Sequence, residues 1–274
     1  MSNTRPPRAR KALGQHFLAN RAVVRRTVEL LDTDGVSTIV EIGPGRGALT
    51  GALLETGKRV IAVEPDRRMI DHLSNQFGDR LGLVHADILE TTPADILPSP
   101  RTRAVLVGNL PYNLSGPILG WIFASARRWQ QVVVMLQLEV ARRLVASPAT
   151  RDFGPLAIAR ALHFEAAKRF NIRPGSFKPP PKVDSAIVEL RPAARPPVRL
   201  KDTEGFMNFA RALFGQRRKT IRNNIRQNTG LDVARTQRLL VLAGVNGRLR
   251  GEQLTWSNLE CLFQAYGTVA ASGK

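Results

Sequence analysis

Apolar residues recur along this chain in two rhythms. Short unbroken apolar runs alternate with stretches in which apolar positions return every three or four residues, the signatures of buried strands and amphipathic helices. The runs at 37–42 (STIVEI), 59–64 (RVIAVE), 81–86, 104–108 (AVLVG) and 131–136 (QVVVML) predict five strands. Residues 20–31, with Asn20 placed to cap them, 66–77 and 117–126 predict helices between and around those strands. Such alternation predicts a Rossmann-like α/β fold, with a parallel sheet covered on both faces. Ligands bind such sheets beyond the carboxyl ends of the strands. That directs attention to residues 43–47, 64–66, 87 and 109–112.

The rhythm breaks at 191–197 (RPAARPP), where three prolines in seven positions stiffen the chain and remove backbone donors. Beyond it the pattern is helical and very basic. The chain therefore reads as a basic flexible arm over 1–12, an α/β domain over 13–190, a proline-rich linker over 191–200 and a small helical domain over 201–274.

Charge narrows the partners. Lys and Arg number 41 against 22 acidic residues among 274, a formal net charge of +19. Such an excess repels itself in a compact fold, and a polyanion offsets it, which points to nucleic acid ahead of a membrane surface. No apolar run is long enough for a membrane helix. The single cysteine, Cys261, lies in an apolar stretch and reads as a buried helix residue, which excludes a disulfide framework and a cysteine zinc cluster. None of the four histidines is in metal-ligand spacing with another, so no metal is expected. The arm carries Arg5, Arg8, Arg10 and Lys11 without the apolar segment of a secretory signal, so a cytoplasmic protein is expected.

The chemistry sits at the strand ends. Gly43, Gly45 and Gly47 allow a tight turn and close backbone approach to a ligand, although Gly43-x-Gly45-x-x-Ala48 also fits a dinucleotide fingerprint. Glu64 ends the second strand, where a carboxylate accepts hydrogen bonds from a ribose diol. That suits S-adenosylmethionine and a nicotinamide dinucleotide equally. Asp87, after the third strand, is placed to accept from a cofactor's adenine amine, or to be a solvated loop acid. Asn109-Leu110-Pro111-Tyr112 follows the fourth strand and separates the two cofactors. The N6 amine of adenine is a poor nucleophile because its lone pair is delocalised into the ring. The Asn109 side-chain oxygen and a backbone carbonyl can accept its two protons and aim the lone pair at a sulfonium methyl. Pro111 fixes the direction of the Leu110 carbonyl, and Tyr112 offers a ring on which an extruded base stacks. Orientation then supplies most of the catalysis.

These segments resemble those of the ribosomal RNA adenine dimethyltransferases, nearly end to end. The matching stretches begin at Leu13 (LGQHFL), Val40 (VEIGPG), Asn109 (NLPYN), Phe177 (FKPPPKVDS) and Phe214 (FGQRRKTIRN). The last two favour the small-subunit branch over the large-subunit enzymes that confer macrolide resistance. The resemblance implies a Rossmann-like catalytic domain that uses S-adenosylmethionine, followed by a helical domain that helps dock RNA. It implies that His16 and Leu18 line the cofactor's edge, with Gly43 and Gly45 at its amino-acid portion, Glu64 at its ribose, Asp87 at its adenine and Asn109 at the transfer centre. The implied partner is the small ribosomal subunit or its precursor. Two positions depart from the family: His16, usually Asn, and Gly116 in Ser115-Gly116-Pro117, usually Thr. A backbone contact survives the first change, and glycine loosens the helix start at the second.

For the RNA surface, residues 217–226 (RRKTIRNNIR) place Arg217, Arg218, Lys219, Arg222 and Arg226 in ten positions with almost no acids nearby. At helical spacing Ile221 and Ile225 face a core, while Arg218, Arg222 and Arg226 share another face. Arg127, Arg128, Arg142 and Arg143 are candidates to extend the surface. Phe177 borders the target-base pocket or anchors a linker. The competing functions are a large-subunit adenine methyltransferase, a non-catalytic ribosome assembly factor and a nicotinamide oxidoreductase.

Overall fold

The computed structural model describes Pro7 and residues 15–271. All but Pro7 of the arm expected over 1–12 lies outside the described residues. The chain forms two compact units, Met1–Ala141 with Phe164–Pro192, and Arg142–His163 with Ala193–Lys274. In chain order the first unit contains β1 (Phe17–Leu18), α1 (Arg21–Val28), β2 (Thr38–Ile42), α2 (Ala48–Leu54), β3 (Arg59–Glu64), α3 (Arg67–Phe77), β4 (Leu81–His85), α4 (Pro93–Ile96), β5 (Ala104–Asn109), α5 (Ser115–Ala124) and β6 (Trp129–Gln137). Helix α6 (Leu138–Val145) carries the chain into the second unit, where α7 (Pro155–Ala161) follows. The chain returns to the first unit for β7 (Phe164–Ile172), β8 (Phe177–Lys178) and β9 (Ser185–Pro192). The second unit is completed by α8 (Thr203–Leu213), α9 (Ile221–Asn228), α10 (Val233–Ala243) and α11 (Trp256–Ala271).

Seven strands form one sheet in the order β4-β3-β2-β5-β6-β9-β7. The five predicted strands are all present and mutually parallel. Their near-continuous apolar runs follow from coverage on both faces: Val60 and Val105 on one face, and Val40 and Leu106 on the other, are fully buried. The chain builds outward from β2 through β3 to β4, then crosses back to add β5 and β6 on the other side. The direction of winding therefore reverses between β2 and β5, which opens a crevice at their carboxyl ends. Asn20 caps α1 by accepting from the Ala22 and Val23 amides, and Asp66 caps α3 by accepting from the Arg68 amide.

The expectation of a wholly parallel sheet is corrected. β9 runs antiparallel to both β6 and β7, and β1 and β8 form a separate antiparallel pair. β7 is an edge strand, and exposed Glu165, Lys168 and Arg169 interrupt its apolar pattern, a common defence of sheet edges. The linker expected from 191 also starts later. β9 runs on to Pro192, and Arg191 is tied to Glu189 at 2.6 Å and to Asp32 at 2.9 Å. Residues 142–163, read as part of the α/β domain, group with the second unit.

The second unit is helical and packs around Phe206, Leu213, Ile221, Ile225, Leu239 and Leu262. Asp202, Thr220 and Asp232 cap its α8, α9 and α10. Cys261 lies in α11 and is only partly buried, with a free thiol.

Candidate active site

The crevice at the winding reversal is a cleft of about 1040 Å³, open mouth included, at the upper limit of the range for small-molecule sites. The glycine turn forms one wall. Gly43, Gly45 and Gly47 have φ of +65°, +55° and +77°, the left-handed region where a side chain is strained. A Cβ at Gly45 would stand 2.8 Å from the Phe17 ring, and one at Gly47 would stand 2.7 Å from Phe77. Gly108, which sequence reasoning passed over, closes the opposite wall, where a Cβ would lie 2.6 Å from the Ile42 carbonyl oxygen. Leu49, Met135 and Ile187 add apolar lining, and Arg46 sits 4.6 Å over the Phe17 ring.

Two carboxyls underlie the turn. Glu64 is 4 % exposed, and one of its oxygens accepts from the Asp66 amide at 3.0 Å. The other accepts a longer bond, 3.4 Å, from the Gly45 amide. Burial pushes its pKa up, partly countered by those two amides. Each carboxylate oxygen keeps a further lone pair, so a vicinal diol has two acceptors here. Glu41, 2 % exposed, also lines the cleft, and its carboxyl accepts from the Thr50 hydroxyl at 2.6 Å. Sequence reading treated Glu41 only as part of a motif.

Asn109 ends β5 beside the turn. Its Nδ2 donates to the His16 carbonyl at 2.8 Å, which orients the amide and leaves Oδ1 as an acceptor. The Leu110 amide donates to the Met135 carbonyl at 3.2 Å, and the Pro111 carbonyl accepts from Leu114 N–H and Ser115 Oγ, both at 3.0 Å. The loop is thus fixed at each end. The Tyr112 hydroxyl bonds Ser185 Oγ at 2.7 Å, and burial pushes the phenol's pKa up. Ser185, fully buried on β9, explains why that stretch ends in serine. The His16 ring stacks on Tyr112 with centroids 5.4 Å apart and planes 25° apart.

The cleft gathers His16, Leu18, Gly43, Gly45, Glu64, Asn109, Leu110, Pro111 and Tyr112 of the expected residues. Asp87 lies outside its lining and caps a short 3-10 turn by accepting from the Leu89 amide. A ligand reaching Asp87 must extend past Glu64 toward the end of β4.

Two expectations about RNA contacts are corrected. Phe177 is 2 % exposed, pairs with Leu18 across β1 and β8 and packs in the core of the first unit. Arg217, Arg218 and Lys219 lie in a turn before α9, so Arg218 shares no helix face with Arg222 and Arg226. Buried Asn224 holds that turn: it accepts from the Gln216 amide at 3.0 Å and donates to the Leu213 carbonyl at 2.8 Å. All five basic side chains are exposed, and Ile221 and Ile225 are buried. The helix after the 109–112 loop starts at Ser115 despite Gly116. Among the described residues no cluster of three metal-ligating side chains occurs, and no helix is long and apolar enough to cross a membrane.

A glycine turn and a buried acid serve many adenosine-containing cofactors, whereas an amide held at the winding reversal suits transfer to an amine. The chain is an S-adenosylmethionine-dependent methyltransferase with a Rossmann-like catalytic fold. Residues 7–253 match the ribosomal RNA adenine dimethylase family, and the chain belongs to it. It is 39 % identical over 272 residues to a ribosomal RNA small subunit methyltransferase A from Geobacter metallireducens, covering 97 % of this chain and 98 % of that one. A protein of the same name from Pseudomonas aeruginosa is 39 % identical over 256 residues, 93 % of each chain. Among solved structures, a dimethyladenosine transferase from Plasmodium falciparum superposes with a TM-score of 0.72 at 24 % identity, covering 93 % and 98 % of the two chains. A 23S rRNA methyltransferase, ErmE, superposes at 0.66 with 26 % identity, covering 91 % and 98 %.

Proposed function

We propose that this enzyme dimethylates the N6 amines of two adjacent adenosines in a hairpin loop near the 3′ end of small-subunit ribosomal RNA, as a cytoplasmic step of ribosome biogenesis. The observation that carries the chemistry is the Asn109 amide, anchored through Nδ2 with Oδ1 available as an acceptor. The small-subunit assignment is supported by relatives of that name at 39 % identity over nearly the whole chain.

The residues present fit S-adenosylmethionine. Gly43 and Gly45 form a cradle that a side chain would fill, Glu64 supplies buried acceptors for a diol, and Leu49 and Met135 are apolar. Leu18 and the His16 backbone complete that edge, and Asp87 lies toward the adenine end. When bound, the cofactor supplies an electrophilic methyl on sulfur and leaves as a neutral thioether. Asn109 Oδ1 and the Leu110 carbonyl accept the two N6 protons of the substrate, because the Pro111 carbonyl is already committed to its own turn. This draws the amine toward a tetrahedral shape and directs its lone pair, and the displaced proton passes to solvent. Tyr112 holds the extruded base by its face. For the second transfer the amine retains one proton, so one acceptor suffices and the pocket must admit the first methyl. The helical unit, with Arg217, Arg218, Lys219, Arg222 and Arg226 exposed, is read as the RNA-docking part.

The test is methylation of small and large subunits in vitro, followed by mass spectrometry of digested RNA. Dimethyladenosine in small-subunit RNA is expected. Asn109→Ala should lower the single-turnover rate by roughly 10²–10³-fold, the scale for loss of one preorganised polar group, while calorimetry shows nearly unchanged cofactor binding. Product confined to large-subunit RNA, a monomethyl end product, or wild-type rates for the variant would each overturn the reading.

A further inference from the structure

The end of the sheet remote from the crevice, where the five parallel strands begin, carries a second basic surface. Arg101 and Arg103 lie in the loop that leads into β5, and Arg127 and Arg128 in the 3-10 turn that leads into β6. β5 and β6 start side by side, with Ala104 paired to Trp129, so these arginines gather in one place. Arg101, Arg103 and Arg127 are exposed and Arg128 is half-buried. We infer that this cluster grips the phosphate backbone of a ribosomal RNA segment other than the target hairpin, and so gives the enzyme a second foothold on the small subunit. This rests on the small-subunit reading above.

Both loops are tied down. In the first, the Thr102 amide donates to the Ser99 carbonyl at 3.1 Å, and the two hydroxyls lie 3.0 Å apart. In the second, the Arg128 amide donates to the Ser125 carbonyl at 2.9 Å, and buried Trp129 donates through Nε1 to the Ser125 hydroxyl at 2.9 Å. Arg128 joins the two loops, its Nη2 donating to the Ser99 carbonyl at 2.7 Å, while its Nε has no hydrogen-bond partner among the described residues. None of the four arginines forms an ion pair among those residues. No acid lies in 97–103 or 125–131. On the adjoining turn Asp32 is committed to Arg191 at 2.9 Å, and exposed Asp34 makes no ion pair. The carboxyl end of α5 precedes the turn and accommodates one cation, but it does not account for several converging from two loops. Arginine at all four positions, with its planar fork of donors, suits phosphate better than lysine does. The six residues of β5 separate Arg103 from the catalytic end, about 20 Å at roughly 3.3 Å per residue. That exceeds twice the Debye length of about 8 Å at physiological salt. A hairpin whose base enters the crevice therefore gains little from these charges, and an RNA segment lying against them must be a different one.

The experiment compares unmethylated small ribosomal subunits with an isolated target hairpin, using the full chain. The triple variant Arg101→Gln, Arg103→Gln, Arg127→Gln leaves Arg128 to hold the loops together. It should bind subunits several-fold more weakly, with a log-log salt dependence flattened by roughly 2–3, at about 0.7–0.9 per phosphate no longer neutralised. Hairpin affinity, hairpin methylation rate and calorimetric cofactor binding should stay at wild-type values. Lysine at the same three positions should restore most of the salt dependence. Arg101→p-benzoylphenylalanine should cross-link, under ultraviolet light, to subunit RNA outside the hairpin. Unaltered binding to subunits at every salt concentration would overturn the foothold, as would an equal loss of affinity for the hairpin. Cross-linking to a ribosomal protein would replace RNA with a protein partner and overturn it as well. Failure of wild-type enzyme to methylate either substrate would overturn the small-subunit reading together with the foothold.

Discussion

At the scale of single residues, the buried carboxyl of Glu41 has the clearest measurable consequence. Burial pushes its pKa up to about 7, neighbouring Glu64 adds to the rise, and the Thr50 hydroxyl opposes it. The folded state therefore holds a proton that the unfolded chain releases near 4.5. Stability falls as pH rises from about 4.5 to 7, by on the order of 3 kcal/mol in total, and the loss is complete above that window. Glu41→Gln keeps a partner for Thr50 and removes the titration. Its melting temperature should change less than that of wild type between pH 5 and 7.5, and should be higher at the upper end. Identical pH profiles for the two proteins would refute the buried ionisation. Glu64 and Asn109 were legible in the sequence because each closes an apolar strand at a position where ligands gather. Glu41 was not, because an acid inside a strand gives no sign of its hydroxyl partner nine residues on. Phe177 among prolines read equally as an exposed aromatic or an anchor, and only its pairing with Leu18 decides.

At the scale of elements, strands buried on both faces announce themselves, and the five parallel ones were found nearly to their ends. β7 and β9 were missed because charged residues break the pattern of an edge strand and a motif-rich stretch hid its partner. The turn at 217–219 was missed for a different reason. Asn224 satisfies the backbone there from within the following helix, a tertiary contact that helical spacing alone does not reveal. Gly108 faces Ile42 across the paired strands β2 and β5. Gly108→Ala would drive a Cβ to 2.6 Å from a backbone oxygen that cannot swing aside. Thermal or denaturant unfolding should show a loss of about 1–3 kcal/mol, the usual cost of overpacking, together with slower methyl transfer from a displaced Asn109. A variant as stable as wild type would mean that the two strands separate easily.

At the scale of the whole molecule, a net charge of +19 makes salt the natural probe of RNA binding. Arg222 and Arg226 project from α9 into solvent. If each neutralises one phosphate, reversing both to Glu should weaken RNA binding and flatten the log-log salt dependence by roughly 0.7–0.9 for each phosphate no longer neutralised. Cofactor affinity, read by calorimetry, should not move. RNA binding unaltered at every salt concentration would assign docking to other residues. The path of the chain was only partly legible, because nothing in the composition of 142–163 distinguishes it from the α/β pattern on either side. Yet Phe153, Ala157 and Ile158 pack in the helical unit's core, and the chain then returns to lay down β7 and β9. Neither unit is therefore one continuous stretch of gene. A recombination event that exchanged the helical unit at a single crossover near residue 192 would join a new core to an old fragment built for a different one. Replacement of this unit between relatives requires two separate exchanges made together, so the two units are constrained to be inherited as a set.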